Sequence, residues 1–509
     1  MVPTAKALIG MSLALLAGCA VKGPNFSPPE PRLPATWNAG QEATTHGMVK
    51  TSPLADPNPQ WWRGFNDVML DSLEQRAVAG NLDLQVALLR IAASRSQEQI
   101  ARAQGLPNLK ATAGYEREQL GLAGIIKAAG PLPAQLQNNP SATAIESQLT
   151  DPINLFTVAL DASWELDLFG KVTRSVEAAA AQSRASQEER NDALVALQAE
   201  VAQTYAQLRA AQALRALTIT ALGDEQQIFG LTKELQASGL GKQSDVESIA
   251  GQLAQNEALL PQYEVQIAAA DNALAVLLGE PPGTLNAELA VEGKIIALPD
   301  VIAIGMPASL ARRRPDIREA EENLHAATAE TGVAIASLYP DLSLSAQYGL
   351  RNTTTKYLFN WASRFYSVGP SISLPIFNGG SLTANVHLAK AEQAAAAIAY
   401  RKAVLNALQE VENALVGFHQ DQLRTQSLKN AADANARALA LATNAYRHGL
   451  TSFITVLDSD RQEVQAQTQL TSALVQQSTD LITLYKALGG GWELNPPTIT
   501  PEGEKVGLQ

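Results

Sequence analysis

One stretch of this sequence constrains the fold more than any other: the 67 residues from Lys171 to Ala237 contain no proline. As a helix rising 1.5 Å per residue, the stretch would be about 100 Å long. Apolar residues recur in it at three- and four-residue steps, and a later stretch does much the same: Leu194, Leu197, Val201, Tyr205 and Leu208, then Leu405, Leu408, Val411, Leu415 and Phe418. A helix of this length has too little globular body to pack on. The spacing therefore predicts coiled-coil seams between long helices.

The composition favours long helices over a compact enzyme. Only 5% of the residues are aromatic, so the 46% hydrophobic fraction comes largely from Ala, Leu and Val. The 38 basic and 50 acidic side chains give a formal net charge of −12, which disfavours a nucleic-acid-binding surface. A single cysteine excludes a disulfide framework, and five scattered histidines form no catalytic or metal-binding motif. We therefore expect no enzymatic activity, no metal and no cofactor.

The N-terminus is predicted to be an export signal. Ala7 to Ala17 is mostly apolar but too short to span a bilayer. It runs into Leu16-Ala17-Gly18-Cys19, which is similar to a bacterial lipobox. In that interpretation residues 1–18 are removed and Cys19 carries diacylglyceryl and N-acyl lipid, while Ala20, in place of Asp, resembles outer-membrane sorting. The alternatives are an ordinary signal peptide with a chance cysteine, or a short buried helix.

The rest of the chain contains an internal repeat. Gly239-Leu240 returns as Gly449-Leu450, and Leu278-Gly279 returns as Leu488-Gly489, both at an offset of 210. Closer to the N-terminus the offset is 233, so the first half has an insertion between Tyr115 and Leu168. A constant offset over this length predicts a duplicated structural unit.

Each half also contains two segments in which apolar and polar residues alternate, as in β-strands. They lie near 109–115, 157–168, 342–350 and 367–376, and the connection from about Glu116 to Phe156 is predicted to be irregular. About 9–11 residues suffice for a tilted strand to cross a bilayer. Five aromatic residues cluster between the last two segments and resemble an interfacial girdle: Tyr357, Phe359, Trp361, Phe365 and Tyr366. The alternatives are strands of a soluble sheet and a local core under a loop.

Four strands are too few to close a membrane barrel, and an open sheet in lipid would leave edge hydrogen bonds unsatisfied. Two chains would give eight strands with a filled interior, whereas three chains would give twelve and could leave a passage. We therefore expect a homotrimer. The two helical hairpins should turn at Gly239-Leu240-Gly241-Lys242 and Gly449-Leu450-Thr451-Ser452, pointing away from the strands.

Four motifs resemble the TolC-like outer-membrane factors, and in particular the lipoproteins that serve resistance-nodulation-division (RND) efflux pumps. They are Trp61-Trp62-Arg63-Gly64-Phe65, Asn81-Leu82-Asp83-Leu84, Arg313-Arg314-Pro315-Asp316-Ile317-Arg318-Glu319-Ala320-Glu321 and Leu488-Gly489-Gly490-Gly491-Trp492. The resemblance extends from about Cys19 to Trp492. It implies a mainly α fold with membrane β-structure, in which a trimeric twelve-stranded outer-membrane barrel continues into a twelve-helix periplasmic barrel through a mixed equatorial region.

The resemblance and the repeat together suggest six regions. In chain order these are a signal peptide (1–18), a lipidated N-terminal and equatorial segment (19–65), a first structural repeat (66–280), an equatorial connector (281–315), a second repeat (316–489) and a C-terminal equatorial tail (490–509). The chain would be lipid-anchored on the periplasmic side of the outer membrane and would also span that membrane.

The resemblance also implies a passive exit duct for drugs or other small molecules, joined to a periplasmic membrane-fusion adaptor and an inner-membrane RND-type pump. Acidic residues near the second hairpin tip ring the closed aperture in this family, which makes Asp458 the main gate candidate. Thr455 and Thr451 stand where some members carry Asp and Arg, and Asp245 is a candidate in the first half. The adaptor would contact the tips at Gly239, Leu240, Gly241, Gly449, Leu450, Thr451 and Ser452.

Other interpretations remain open from the sequence. A type I secretion channel for proteins would share this architecture, and a periplasmic coiled-coil scaffold would explain the helices without the strands or the lipobox. At the gate, Asp458 and Asp460 could instead lie on a solvated helix face with Arg461.

Overall fold

A computed structural model describes residues 21–30, 33–38, 50–52, 55–119, 141, 152–291 and 295–495. Cys19 and most of the insertion in the first half lie outside these ranges. The chain divides into two compact units, and four of the five boundaries between them fall within helices. Unit 1 contains residues up to Phe26, Arg95–Ala181 and His325–Ala394; unit 2 contains Ser27–Ser94, Gln182–Leu324 and the remainder from Ala395.

The helices and strands follow one another in an order that is similar in the two halves. The first half contains β1 (Lys50–Ser52), α1 (Val68–Gly80), α2 (Leu82–Gln104), β2 (Asn108–Glu118), β3 (Ile153–Leu166), α3 (Lys171–Ala237), α4 (Gln243–Glu257), α5 (Leu260–Leu277) and α6 (Asn286–Leu289). The second contains β4 (Val301–Ala303), α7 (Pro307–Arg313), α8 (Pro315–Ala336), β5 (Asp341–Asn352), β6 (Arg364–Ser373), α9 (Ser381–Arg447) and α10 (Phe453–Leu488). None of the helices in the described ranges combines the length and the apolar character needed to cross a membrane.

The main element of unit 1 is an antiparallel four-stranded sheet with the order β2-β3-β5-β6. All four strands lie near their predicted positions, but β2, β3 and β5 are longer than predicted, and β3 and β6 end at Leu166 and Ser373, before the predicted limits of 168 and 376. Because Glu118 pairs with Ile153, the irregular connection is shorter than the predicted range from Glu116 to Phe156. Phe365 and Tyr366 likewise lie within β6 and not in the loop before it.

The described N-terminal residues lie where the helices of unit 1 join its sheet. The Lys22 backbone N–H donates to the Phe169 carbonyl (3.0 Å), and Arg174 donates to the Asn25 side chain (2.6 Å). The Phe26 ring stacks on the His325 ring with centroids 4.2 Å apart. Residues 22–26 are therefore held against the start of α3 and against α8.

Unit 2 contains the main apolar core and all four sequence motifs. The core residues come from the short 3₁₀ helix Trp61–Phe65, from α1 and α5, and from facing parts of the long helices α3, α9 and α10. The Trp61 ring stacks on the Tyr485 ring with a centroid separation of 5.2 Å. A smaller parallel pair, β1 with β4, also belongs to this unit.

Arg314 and its neighbour Arg313 connect the Arg-Arg-Pro-Asp motif to the Leu-Gly-Gly-Gly-Trp motif. Its buried guanidinium binds Glu410 (2.7 Å), Asp316 (2.8 Å) and the Ala487 carbonyl (2.8 Å). The Trp492 indole N–H donates to the Arg313 carbonyl at 2.9 Å. A charge removed from water is tolerable when several such acceptors surround it, so this arginine joins α8, α9 and the end of α10.

Asn81 has a similar structural role in the Asn-Leu-Asp-Leu motif. Its side-chain oxygen accepts from the Leu84 N–H (3.0 Å), which caps α2, and its amide donates to the Leu277 carbonyl (2.9 Å) at the end of α5. Within unit 2 the motif therefore holds one helix end against another.

Candidate gate at the helical hairpin tips

The two hairpins of unit 2 turn through glycines with the same backbone geometry. Gly239 and Gly449 have φ angles of 77° and 69°, in the left-handed region that residues with a Cβ rarely adopt. At the first tip the Leu240 N–H donates to the Leu235 carbonyl (2.9 Å), and at the second the Leu450 N–H donates to the Ala445 carbonyl (2.8 Å). Both long helices therefore end in the same type of glycine cap.

The side chains proposed for adaptor contact are largely exposed at these turns. Leu240 and Leu450 are 81% and 80% exposed. At the second tip Ser452 precedes α10, and its hydroxyl lies 3.2 Å from that of Thr455. Gly239 is exposed, whereas Gly241 and Thr451 are half-buried.

Just behind the turns, a single apolar cluster, here called the tip cluster, joins the two hairpins. It contains Ile228, Ile249, Ala442, Tyr446, Phe453, Val456 and Leu457 from α3, α4, α9 and α10. The Tyr446 and Phe453 rings have centroids 5.8 Å apart. Movement of one hairpin relative to the other must therefore disturb this packing.

The gate candidates are not brought together within the chain. Asp458 is exposed, and no cation in the described part of the chain lies within ion-pair distance of it. Asp245 is half-buried beside Ser244. Burial raises the pKa of Tyr446, and the negative charge of Asp245 adds to this increase. No hydrogen bond between described residues links Asp245 to Asp458 or Thr455.

A pair of buried acids that the sequence analysis did not select lies slightly deeper than the tip cluster. Glu225 on α3 is 0% exposed and Asp460 on α10 is 2% exposed, each carboxyl group shifts the pKa of the other, and Glu225 Oε2 and Asp460 Oδ2 have no hydrogen-bond partner among the described residues. The Asn256 amide on α4 donates to Glu225 at 2.5 Å. This carboxyl pair therefore connects the first hairpin to the return helix of the second.

The surroundings of the carboxyl pair favour a protonated state. Burial, followed by the charge of Asp460, raises the pKa of Glu225 to about 7. Burial also raises the pKa of Asp460 to about 6, and nearby Glu463 and Asp224 add to the increase. The charge of Arg461, whose guanidinium donates to Gln252 on α4 at 2.9 Å, lowers the pKa of Asp460 by less than burial raises it.

The charges facing this region come from three helices. Asp224 and Glu463 line a cavity that α3 and α10 share with α9, and α9 supplies Arg447 to it. Among the described residues, no group of three or more His, Cys, Asp or Glu side chains is arranged to hold a metal ion. The raised pKa values of Glu225 and Asp460 favour protonation as the way in which the pair reduces its charge.

The solvated-face interpretation of α10 is wrong for Asp460, although it describes Asp458 correctly. The signal was present in the sequence, since Asp460 continues the series Phe453, Val456 and Leu457 at helical spacing. Glu225 similarly lies between Leu222 and Ile228. An acid at a seam position indicates burial, whereas Asp458 falls outside the seam.

The carboxyl pair predicts a loss of stability as pH rises. Because both folded-state pKa values lie above the unfolded values, the stabilisation is present below about pH 4 and is lost as pH rises through about 7. The free energy of unfolding should therefore change less with pH in Glu225→Gln/Asp460→Asn, by on the order of 2 kcal/mol over this range. Thermal unfolding followed by helical circular dichroism from pH 5 to 8 measures it.

The matched control is Glu257→Gln/Asp433→Asn, which removes two exposed acids from α4 and α9. The control should keep the wild-type pH dependence. An unchanged profile in the Glu225 and Asp460 variant would show that neither carboxyl group has a raised pKa in the folded protein.

Comparisons with solved structures identify the class of protein. The structure described as the outer-membrane channel OprN superposes with a TM-score of 0.81 at 31% identity, covering 93% of this chain and 100% of that one. The described fold is therefore that of an outer-membrane channel. This confirms the coarse fold prediction of long helices combined with a small sheet.

The chain belongs to the family described as outer membrane efflux protein, whose pattern matches residues 73–280 and 306–490. It is 31% identical to the probable efflux pump outer membrane protein TtgC of Pseudomonas putida over 490 residues, which are 96% of each protein. It is also 31% identical to the outer membrane protein OprJ of Pseudomonas aeruginosa, covering 94% of this chain and 95% of that protein. The resemblance to TolC-like factors, the efflux function and the outer-membrane location are thereby confirmed. The family is one of channels and not of enzymes.

Proposed function

We propose that this chain forms the outer-membrane exit duct of a tripartite efflux system and conducts small molecules passively as a homotrimer. The observation that carries the proposal is the four-stranded sheet, whose edge strands β2 and β6 have no partner within the described chain. In lipid, each unpaired backbone group would cost several kcal/mol. Three copies joined edge to edge would give twelve strands and a closed barrel wide enough for a passage.

Exposed apolar side chains support this arrangement of the sheet. Leu109 on β2 is 69% exposed, and Val368 and Ile372 on β6 are 69% and 73% exposed. Such residues are costly in water but favourable against acyl chains or a neighbouring strand. Four of the five clustered aromatic residues, Tyr357, Phe359, Trp361 and Tyr366, are also exposed, which argues against the alternative of a local core under the loop.

The long helix α9 also exposes large apolar residues in the described structure. Leu388, Ile398, Leu405 and Leu441 are between 55% and 71% exposed. With four long helical segments per chain, a trimer would bury these residues in a twelve-helix periplasmic tube. After removal of the signal peptide, the other five regions defined from the sequence would correspond to the lipidated N-terminal segment, the two repeats, the equatorial connector and the C-terminal tail.

The exposed tips Leu240 and Leu450 are the proposed contacts for a periplasmic membrane-fusion adaptor, which would connect the duct to an RND-type inner-membrane pump. The pump would supply energy and select the substrate, since the duct carries no catalytic group in this proposal. Type I protein secretion is the competing use of the same architecture.

Lipid on Cys19 would add an anchor on the periplasmic side. Support comes from residues 21–26, which are held where the sheet of unit 1 meets α3 and α8. An acyl chain attached two residues before Val21 would start at the helix end of the sheet, where the inner leaflet would begin. The lipid anchor and the helix end of the sheet would therefore lie on the same, periplasmic side of the outer membrane.

Radioactive palmitate should label the wild-type protein but not Cys19→Ser, because Cys19 is the only thiol in the chain. The variant should still assemble into trimers, since the barrel does not depend on the lipid. Mass spectrometry of the variant shows whether residues 1–18 are removed. Labelling of the variant would rule out this anchor.

Asp458 is proposed to line the closed aperture, where three copies would repel one another and attract cations. Asp458→Asn should therefore reduce cation preference in planar bilayers, with single-channel current and reversal potential as the measurements. Asp433→Asn, an exposed acid on α9, is the control. Unchanged selectivity would exclude Asp458 from the aperture.

The function is tested by deleting the gene and measuring accumulation of a panel of antibiotics and dyes. Accumulation should rise for some compounds and return to normal on complementation. Leu450→Trp should fail to complement, because the larger side chain would obstruct docking of the adaptor at the tip. The variant should still form trimers. If no compound accumulates but a protein ceases to be secreted, the duct serves secretion instead.

A further inference from the structure

The hairpin of β5 and β6 in unit 1 differs in charge from the rest of the chain. Residues 342–373 contain three cations, Arg351, Lys356 and Arg364, and no Asp or Glu, in a protein whose net charge is −12. All three cations are exposed. Within the described ranges, none of them forms an ion pair.

The same segment exposes large aromatic side chains. Tyr357 is 49% exposed, Trp361 is 70% exposed, and Phe359 and Tyr366 are each 77% exposed. Isolated apolar residues are common on protein surfaces, but a contiguous group of aromatic residues indicates contact with another apolar phase or molecule.

Each cation lies over an aromatic ring of the same hairpin. The Arg351 guanidinium is 4.4 Å from the Phe365 centroid, and the Arg364 guanidinium is 4.8 Å from the Trp361 centroid. The Lys356 ammonium is 5.3 Å from the Tyr357 centroid. Stacking through the face of a guanidinium leaves N–H groups at its edge, which is the geometry that binds phosphate.

The loop that carries these groups has a fixed internal structure. The Asn352 amide donates to the Ser363 hydroxyl (2.8 Å), which in turn donates to the Tyr357 carbonyl (2.8 Å). Leu358 is 7% exposed and supplies a small apolar base. Since little ordering is left to occur on binding, the conformational cost of ligand binding is small.

Among the described residues at this end of the sheet, a net positive charge is found only on this hairpin. At the same end of the sheet, β2 carries Arg117 between Glu116 and Glu118, so its charges largely cancel. Inorganic phosphate would use the cations but gain nothing from four exposed rings. A phosphate group attached to acyl chains would use both.

We propose that Arg351, Lys356 and Arg364 form a binding site for the phosphate groups of a phosphorylated lipid, with the exposed aromatic rings placed at the level of its head groups. The inference rests on the proposed membrane-spanning function. The helices and the residues after Cys19 adjoin one end of the sheet, so the loop at the other end would meet the outer leaflet. There the matching ligand is a phosphorylated glycolipid such as lipid A.

The test uses the full-length protein in neutral detergent, titrated with diphosphorylated lipid A, its monophosphorylated form and phosphatidylcholine, with bound lipid counted by native mass spectrometry. Binding should weaken in that order. Arg351→Gln/Lys356→Gln/Arg364→Gln should weaken binding of the diphosphorylated lipid by about 100-fold, because each cation contributes roughly a fivefold preference for an anionic surface.

The matched control is Lys233→Gln/Lys402→Gln/Lys429→Gln, which removes three exposed cations from α3 and α9 and should bind lipid A like the wild type. Equal binding by the Arg351, Lys356 and Arg364 variant, equal binding of all three lipids, or displacement of lipid A by millimolar inorganic phosphate would overturn the proposal.

This outcome can be distinguished from failure of the proposed function. A chain that remains soluble without detergent would contradict the membrane duct itself. An integral trimer in which the triple variant retains lipid A would contradict only the lipid site.

Discussion

The burial of long, narrow apolar seams is the constraint on which this structure depends. A helix as long as α3 or α9 cannot be covered by a globular body, so its apolar side chains must face other helices. Unit 2 meets this requirement with the core around Trp61 and Tyr205 and with the tip cluster around Phe453. The small share of aromatic residues follows from the same requirement, because closely packed helices favour small side chains.

The carboxyl pair shows what happens when a seam position is occupied by an acid. Glu225 and Asp460 take positions at which apolar residues would pack, burial there raises the pKa of both carboxyl groups, and the Asn256 amide donates a hydrogen bond to Glu225. On α3 and α10, residues of the tip cluster lie within four positions of Glu225 and Asp460. The two hairpins are therefore joined by apolar contacts that do not respond to pH and by one polar contact that does.

Strands and helices differed in how well their limits could be predicted. Helix α3 spans Lys171–Ala237, the proline-free stretch itself, because its end depends on a local glycine turn. The limits of β2 and β3 depend on pairing between distant residues, and the strands continue to Glu118 and Ile153 through hydrogen bonds that no local pattern indicates. Asp458 and Asp460 show the same limitation for side chains: both are acidic and near the tip, and only the packing of α10 separates the exposed residue from the buried one.

The sequence by itself determined the long helices, the glycine turns, the four strands of the larger sheet and, through four motifs, the family. These features are local, or are set by spacing along one element, so they can be inferred without knowing what packs against them. The tertiary structure decided which acids are buried, where Arg314 and Asn81 find their partners, and that three cations of one hairpin lie over aromatic rings. Those features depend on atoms brought together from distant parts of the chain, where burial changes the energy of a charge far more than its sequence neighbours do.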